Sequence, residues 1–258
     1  MNLRVVAIGG TVALLTSLLL ARAHPFGDAG LYAPASRSQA ASMPPKVATI
    51  LFSKCGDCHS NEPHSPIYGR FAPVSWLMER DIVGGRKQFN LSLWDSYSPE
   101  KQQLLQAKMI QQTKSGSMPL PQYRAIHWHS GVTEADMHVL LEWATSVTPA
   151  DGPPTSSEGN SAAGRIVFEK RCTGCHSLEQ NREGPMLRGI FGRPAGHVPN
   201  FVYSAALQGS HITWNELTLD KWLTDPDAFV SGNNMEFRVV KAQERSDLIQ
   251  FLKESAVQ

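Results

Sequence analysis

The sequence predicts a mainly α-helical fold made of two domains. Apolar residues recur at helical spacing in several segments, and no alternating strand of useful length is present. A stretch rich in Pro, Gly and Ser at 148–160 divides the chain. The pentapeptide Cys-x-x-Cys-His occurs once on each side of that stretch, at 55–59 and at 172–176. A length of 258 residues suits two modest domains.

The two pentapeptides use every cysteine of the chain, namely Cys55, Cys58, Cys172 and Cys175. Cys-x-x-Cys-His is typical of c-type haem attachment. Two thiols one short loop apart each add to one vinyl group of the same porphyrin, and the imidazole that follows lies under the iron. The pattern therefore predicts two covalently bound haem c groups, with His59 and His176 as their proximal ligands.

A Cys-x-x-Cys pair is also found in redox dithiols, zinc sites and disulfides. A thioredoxin-like dithiol belongs to a βαβ pattern, which this sequence lacks. A four-thiolate zinc site would have to combine pairs that stand more than a hundred residues apart, at 55–58 and 172–175. Each pair is also followed directly by His, so haem attachment is the favoured interpretation.

The N-terminus has the pattern of an export signal. Arg4 gives a positive start, 5–20 is predominantly apolar, and Ala-Arg-Ala at 21–23 is a cleavage signal. We therefore expect a signal peptide over 1–23, a mature chain that starts at His24, and a periplasmic location. The alternative is an uncleaved membrane anchor, but the apolar run is short for a span of about 20 residues.

The charge balance is close to neutral, with 24 basic and 23 acidic residues. Removal of Arg4 and Arg22 with the signal leaves 22 basic residues against 23 acidic ones. Nucleic-acid binding favours a strongly basic patch, so that class of partner is not predicted. Long-range electrostatic steering to an acidic partner is not predicted either.

The remaining boundaries follow from composition. Residues 24–45 are rich in Ala, Ser and Pro and predict a flexible leader. The first domain is predicted over 46–148, a linker over 149–159 and the second domain over 160–258. Each domain is expected to wrap its helices around one covalent haem.

Five helices are predicted from apolar residues at helical spacing, and they cover 46–54, 99–114, 133–145, 164–170 and 242–254. The first and fourth of these directly precede the two pentapeptides. Thr133 can cap the third, and Asp136 three residues later supplies the acidic half of a capping box.

Six segments after the second pentapeptide follow one another in a familiar order: GPMLRGIFGR (184–193), FVYS (201–204), ITW (212–214), LDKWLTDP (219–226), NMEF (234–237) and RSDLIQFL (245–252). In this order and spacing, residues 160–255 closely resemble the mitochondrial-type class I cytochrome c family. The loop at 231–234 departs from that family, which usually has Pro-Gly-Thr-Lys there.

This resemblance implies His176 and Met235 as the two axial ligands of the second iron, a pair that suits electron transfer. It also implies five residues around the haem, namely Pro185, Arg193, Tyr203, Trp214 and Trp222. In this resemblance the Pro185 carbonyl accepts from His176. Arg193, Tyr203 and Trp214 match positions that hold a haem propionate, and Trp222 matches the aromatic residue beside the ligand methionine.

The first domain, over 46–148, resembles the bacterial family known as the haem-binding domain. The residues that match are SNE (60–62), PVSWL (73–77), GRKQFNLSLW (85–94), GSMPL (116–120) and His127. Met118 precedes a proline in a loop between two predicted helices, and we expect it to be the distal ligand of the first iron. His127, His129, His64 and an open site are the alternatives.

The function that follows is single-electron transfer by a periplasmic dihaem cytochrome c between a donor and an acceptor redox protein. Peripheral association with a membrane respiratory complex fits this function. No acid–base pair, nucleophile triad or phosphate loop accompanies the haems, which favours a carrier over an enzyme. A peroxidase-like enzyme with an open first iron, served by His127, His129 or Glu134, and a redox or gas sensor stay as alternatives.

Overall fold

The computed structural model describes residues 3–31, 40–146 and 159–255. Part of the predicted leader and the predicted linker up to residue 158 therefore lie outside the described residues. Contacts divide the chain into two compact units. The first unit contains Met1–Ser98 and Gln122–Asp136, and the second contains Pro99–Pro121 and Met137–Gln258.

In the described residues 3–31 and 40–98, the regular structure consists of three α-helices and two short 3₁₀ helices. The α-helices are α1 (Leu3–Leu20), α2 (Pro45–His59) and α3 (Val74–Gln88), and the 3₁₀ helices cover Ile67–Arg70 and Leu91–Ser96. In the part of the chain that the structure describes, no helix is both long enough and apolar enough to span a bilayer.

The remaining helices run from residue 99 to residue 254. They are α4 (Pro99–Lys114), α5 (Pro121–Ile126), α6 (Glu134–Thr145), α7 (Ser161–Val167), α8 (Ala205–Gln208), α9 (Glu216–Thr224), α10 (Pro226–Phe229) and α11 (Ala242–Glu254). A π-helical turn over Phe168–Cys172 continues α7 up to the second pentapeptide.

The helical fold class is confirmed, and within 3–31, 40–146 and 159–255 the only β-type pairing is an isolated bridge between Pro194 and Thr213. Helices α4 and α11 have the predicted bounds, whereas α2 runs beyond residue 54 and includes the whole first pentapeptide. The capping box at α6 is also confirmed, because Thr133 Oγ1 accepts from the Asp136 amide at 3.1 Å.

The first unit is built around the contact of α2 with α3. Val47 and Leu51 are buried on one face of α2. Gly85 on α3 permits a close approach, because a Cβ at this position would lie 2.8 Å from the Cys58 carbonyl oxygen. The predicted leader also packs here rather than lying free, since Ala29 is 1 % exposed and its carbonyl accepts from Arg86 Nη1 at 2.8 Å.

The core of the second unit forms where α7 crosses α11. Gly164 makes this crossing possible, since a Cβ there would lie 1.9 Å from the Asp247 carbonyl oxygen. The buried guanidinium of Arg245 on α11 lies 2.7 Å from Asp220 Oδ1 and donates to two backbone carbonyls. The ion pair joins α9, which carries Asp220, to α11.

Candidate functional site

The second pentapeptide directs its histidine into a cleft of about 790 Å³. His176 Nδ1 lies 2.8 Å from the Pro185 carbonyl oxygen, to which it donates when protonated. That bond fixes the tautomer and leaves Nε2 free for a metal. Burial lowers the pKa of His176, so the neutral form that can ligate iron is favoured.

All nine residues predicted for the second site line this one cleft: Cys172, Cys175, His176, Pro185, Arg193, Tyr203, Trp214, Trp222 and Met235. The volume falls within the range of about 300–1,000 Å³ usual for ligand sites. Two thiols, an imidazole and a thioether among aromatic side chains form a donor set that fits a covalently attached haem. Their individual roles toward the haem stay predictions.

Met235 is held in the cleft by two neighbours. Trp222 Nε1 donates to Met235 Sδ at 3.1 Å, and Asn233 Oδ1 accepts from the Met235 amide at 2.6 Å. Asn233 is 1 % exposed and donates through Nδ2 to the Val230 carbonyl at 2.9 Å. Sequence comparison identified the loop at 231–234 only as a departure from the family pattern, and it did not predict that Asn233 positions Met235.

Arg193 and Tyr203 are half-buried at the wall of the cleft. Arg193 donates to the carbonyls of Met186 at 2.9 Å and Arg188 at 3.2 Å. Burial lowers the pKa of Arg193 and raises that of Tyr203. The guanidinium is thus already anchored to the backbone beside the cleft, and its predicted contact with a propionate stays a prediction.

Gly184 is a further residue of the site that sequence reasoning did not single out. A Cβ at this position would lie 2.2 Å from His176 Cε1 and 2.6 Å from Nδ1. Because no side chain fits there, the loop can pass directly over the imidazole and present the Pro185 carbonyl to it.

Helix α4 forms another wall of the cleft, although it lies in the segment predicted for the first domain. Four of the residues that line the cleft from this helix and the turn after it, Leu104, Ala107, Gln111 and Ser115, recur at three- and four-residue spacing. Gln112 and Ser117 line the cleft as well. The amphipathic pattern predicted that α4 has a buried face, but it did not indicate which part of the chain covers that face.

The first pentapeptide ends α2 and repeats the proximal geometry. His59 is 8 % exposed, and its Nδ1 lies 3.3 Å from the Phe89 carbonyl oxygen. The Phe89 ring also stacks on the imidazole, with the ring centroids 4.1 Å apart. Gly85 approaches the same ring, because a Cβ there would lie 3.3 Å from His59 Cε1. Phe89 belongs to a matched segment, yet its contact with His59 was not predicted.

Two of the histidines predicted as alternative distal ligands of the first iron are hydrogen-bonded, whereas Met118 lies partly exposed. His64 Nδ1 lies 3.0 Å from Asp57 Oδ1. Both ring nitrogens of His127 have partners, namely the Tyr68 hydroxyl at 3.0 Å and the Tyr123 carbonyl at 3.1 Å. Met118 is 36 % exposed.

Met118 belongs to the second unit and His59 to the first. Their pairing stays a prediction, as do the alternatives His129 and an open site.

The thiols are not poised for dithiol redox chemistry. Burial raises the pKa of Cys55 and Cys172 to about 12, and that of Cys58 and Cys175 to about 11. A reactive dithiol needs a lowered thiol pKa. The four thiols also form no disulfide, so neither pair has the features of a redox dithiol.

Comparison with known proteins gives two family matches. The haem-binding domain matches residues 21–146, and cytochrome c matches residues 161–256. The cytochrome c of Tetrahymena pyriformis is 40 % identical over 107 residues, which cover 41 % of this chain and 97 % of that protein. The cytochrome c of Nigella damascena is 37 % identical over 101 residues, 38 % of this chain and 91 % of that protein.

The chain belongs to the cytochrome c family. It is therefore a haem protein that transfers electrons. Its haem-binding and cytochrome c domains are of the kind that carry covalent haem c. Among solved structures, cytochrome cH from Methylobacterium extorquens is 36 % identical, with a TM-score of 0.36, over 37 % of this cytochrome and 99 % of that chain.

Proposed function

We propose that this cytochrome carries two covalent haems and passes single electrons between a donor and an acceptor redox protein in the periplasm. The observation that supports two haems is the repeated proximal geometry. His59 and His176 each follow a Cys-x-x-Cys pair, and each has Nδ1 at hydrogen-bonding distance from a backbone carbonyl, with a glycine against its ring. A dithiol or zinc site has no need of that arrangement.

The residues of the second site support a carrier rather than an enzyme at that iron. When bound, the haem supplies reversible one-electron chemistry of its iron. The protein fixes the His176 tautomer, holds Met235 by two hydrogen bonds and lines the cleft with Trp214 and Trp222. These contacts hold His176 and Met235 in place as the two residues that would ligate the iron of a bound haem, a pair that suits electron transfer.

The haem count is tested by intact mass and by the ratio of iron to protein in the mature holoprotein. Two haems per chain are expected, and a Cys55→Ser/Cys58→Ser variant should retain one, as should Cys172→Ser/Cys175→Ser. A wild-type ratio of one would refute the dihaem proposal. The same mass spectrum tests export, because cleavage before His24 removes the first 23 residues.

Carbon monoxide binding to the fully reduced holoprotein tests the carrier proposal. If neither iron binds carbon monoxide, both are firmly six-coordinate, as a carrier requires. If half of the haem binds it, one iron is open or weakly ligated, the first domain becomes the suspect, and peroxidase and sensor assays come next.

A further inference from the structure

Helix α4 is tied to the proximal side of the second site. Lys108 Nζ lies 3.1 Å from Glu183 Oε2, and Gln111 Nε2 donates to the Glu183 carbonyl at 3.1 Å. Glu183 stands two residues before Pro185, whose carbonyl oxygen is paired with His176. Two side chains of α4 therefore anchor the loop that sets the orientation of the proximal imidazole.

The same helix is tied to the distal side. Lys114, at the C-terminal end of α4, forms a salt bridge with Glu236, the residue that directly follows Met235. The Glu236 side chain is only 4 % exposed and that of Lys114 is 23 % exposed. A carboxylate so deeply buried depends on its charged partner, because removal of one member leaves an uncompensated charge in a poorly solvated place.

Before these two anchors, in its N-terminal half, α4 packs on the second pentapeptide itself. A Cβ at Gly174 would lie 2.9 Å from Leu104 Cδ2, so the leucine sits on the glycine between the two cysteines. Gln103 accepts from Arg171 Nη1 at 3.3 Å and donates to the Arg238 carbonyl at 3.1 Å. The contacts are thus distributed along the helix, from the first turn to the last.

We propose that α4 is a clamp on the second haem site, in which Lys108 and Lys114 are positioning residues for His176 and Met235. This inference rests on the proposed ligation of the second iron by that pair. Since α4 precedes the division at 148–160, the segment assigned to the haem-binding domain completes the site of the cytochrome c domain. Met118, the proposed ligand of the first iron, directly follows the cleft residue Ser117 and stands four residues after Lys114 at the end of the clamp.

The test replaces Lys114 by Gln in the full-length holoprotein. The weak long-wavelength band that ferric haem shows only with a thioether ligand is followed against urea, together with far-ultraviolet circular dichroism. In Lys114→Gln the part of the band that Met235→Ala removes should disappear at a lower urea concentration than the helical signal. Carbon monoxide binding to the reduced second haem should rise about tenfold or more, because the unpaired Glu236 loosens Met235. The charge exchange Lys114→Glu/Glu236→Lys should restore part of the wild-type behaviour.

Lys241→Gln is the matched control, because Lys241 is 69 % exposed and lies 3.6 Å from Glu244 in a surface pair that contributes little. An unchanged band and unchanged carbon monoxide binding in Lys114→Gln would overturn the clamp. Failure of the ligand assignment is distinguishable: a Met235→Ala variant whose band is as intense as that of the wild type refutes the proposed ligation itself, because only the contribution of the first haem, through Met118, should remain.

A separate cluster in the first unit points to a cation. His24, Asp28 and Glu79 each place a ligand atom within 4.8 Å of the others. Glu79 is 2 % exposed, and its Oε1 lies 2.6 Å from His24 Nδ1. The other carboxylate oxygen of Glu79, Oε2, is buried without a hydrogen-bond partner. Among the described residues, Glu79 forms an ion pair with His24. A buried carboxylate with one free oxygen needs a positive charge beside it.

We infer that these three residues bind a divalent transition cation of the zinc type, for which an imidazole and carboxylates are suitable ligands. The ion would replace the proton between His24 and Glu79 and use the unpaired Oε2. Signal cleavage before His24 would add an α-amino nitrogen at the same residue.

Equilibrium dialysis of the mature holoprotein against Zn²⁺ tests this second inference. One equivalent should bind in the wild type, and Glu79→Gln should weaken binding about tenfold or more. Asp28→Asn should also weaken Zn²⁺ binding, and because Asp28 is exposed this variant shows the effect even if Glu79→Gln fails to fold. Glu134→Gln, at an exposed position outside the cluster, is the control. Equal binding by the wild type and Glu79→Gln, or no binding by either, would overturn the site and leave a protonated His24 as the counter-charge.

Discussion

A single methyl group at Gly184 should dislodge the proximal ligand of the second haem. The Cβ of Gly184→Ala would lie 2.2 Å from His176 Cε1, whereas ordinary van der Waals contact begins at 3.4 Å. The imidazole must therefore move by about 1.2 Å. A shift of that size breaks the 2.8 Å contact of Nδ1 with the Pro185 carbonyl, which also fixes the ring.

The expected cost follows from these two losses. Overpacking of a filled site costs about 1–3 kcal/mol, and the lost hydrogen bond adds about 1 kcal/mol. We therefore expect the second unit to lose about 2–4 kcal/mol of unfolding free energy. Urea unfolding of the holoprotein, followed by absorbance of the second haem and by circular dichroism, measures this loss.

Gly84→Ala provides the matched control, because a Cβ at this α3 glycine meets nothing within 4 Å. Replacing a helical glycine in open space should stabilise the first unit by about 0.5–1 kcal/mol. A Gly184→Ala protein with a wild-type spectrum and an unchanged urea midpoint would refute the steric reasoning and the proximal geometry on which it rests.

Four further substitutions test other contacts. Gly85→Ala places a Cβ 2.8 Å from the Cys58 carbonyl oxygen, so the first haem should change its spectrum and the second should not; the reverse pattern would contradict the assignment. Met118→Ala should alter carbon monoxide binding and potential of the first haem alone, and an unchanged first haem rules Met118 out. Trp222→Phe removes the donor to Met235 Sδ and should raise carbon monoxide binding at the second iron about fivefold, whereas unchanged binding would deny that bond a role. Arg245→Met leaves Asp220 unpaired and should cost the second unit about 3–5 kcal/mol in urea unfolding; a loss below 1 kcal/mol would show that solvent compensates the carboxylate.

Local patterns in the sequence were sufficient for most of the second site. The pentapeptide identifies three residues of the second site, Cys172, Cys175 and His176, within five positions. The order of the matched segments predicted Arg193, Tyr203, Trp214 and Met235, which line the same cleft. Helices α4 and α11 were predicted to the residue because their apolar positions recur at helical spacing. These features depend on short-range geometry, which a single sequence expresses directly.

The features that the sequence did not reveal all depend on contacts between distant segments. Gln103 and Arg238 are 135 residues apart, and no local pattern connects them. The apolar face of α4 predicts burial but not against which surface. Ala29 lies in a segment whose composition suggested flexibility, yet it is 1 % exposed. Asn233 looked like a departure from a family motif, although it positions Met235 through its side chain.

The two proximal sites reach similar geometry by routes that differ in how much of the fold they need. His176 is oriented by Pro185, nine residues away in a short loop, with Nδ1 at 2.8 Å from the carbonyl oxygen. His59 is oriented by Phe89, thirty residues away at the end of α3, at 3.3 Å. His59 thus keeps its orientation only while α2 and α3 stay packed, whereas His176 is oriented by a nearby loop that α4 anchors. A loosening of the first unit is therefore expected to disturb His59 directly, whereas in the second unit the salt bridges of α4 with Glu183 and Glu236 hold the loops that carry Pro185 and Met235.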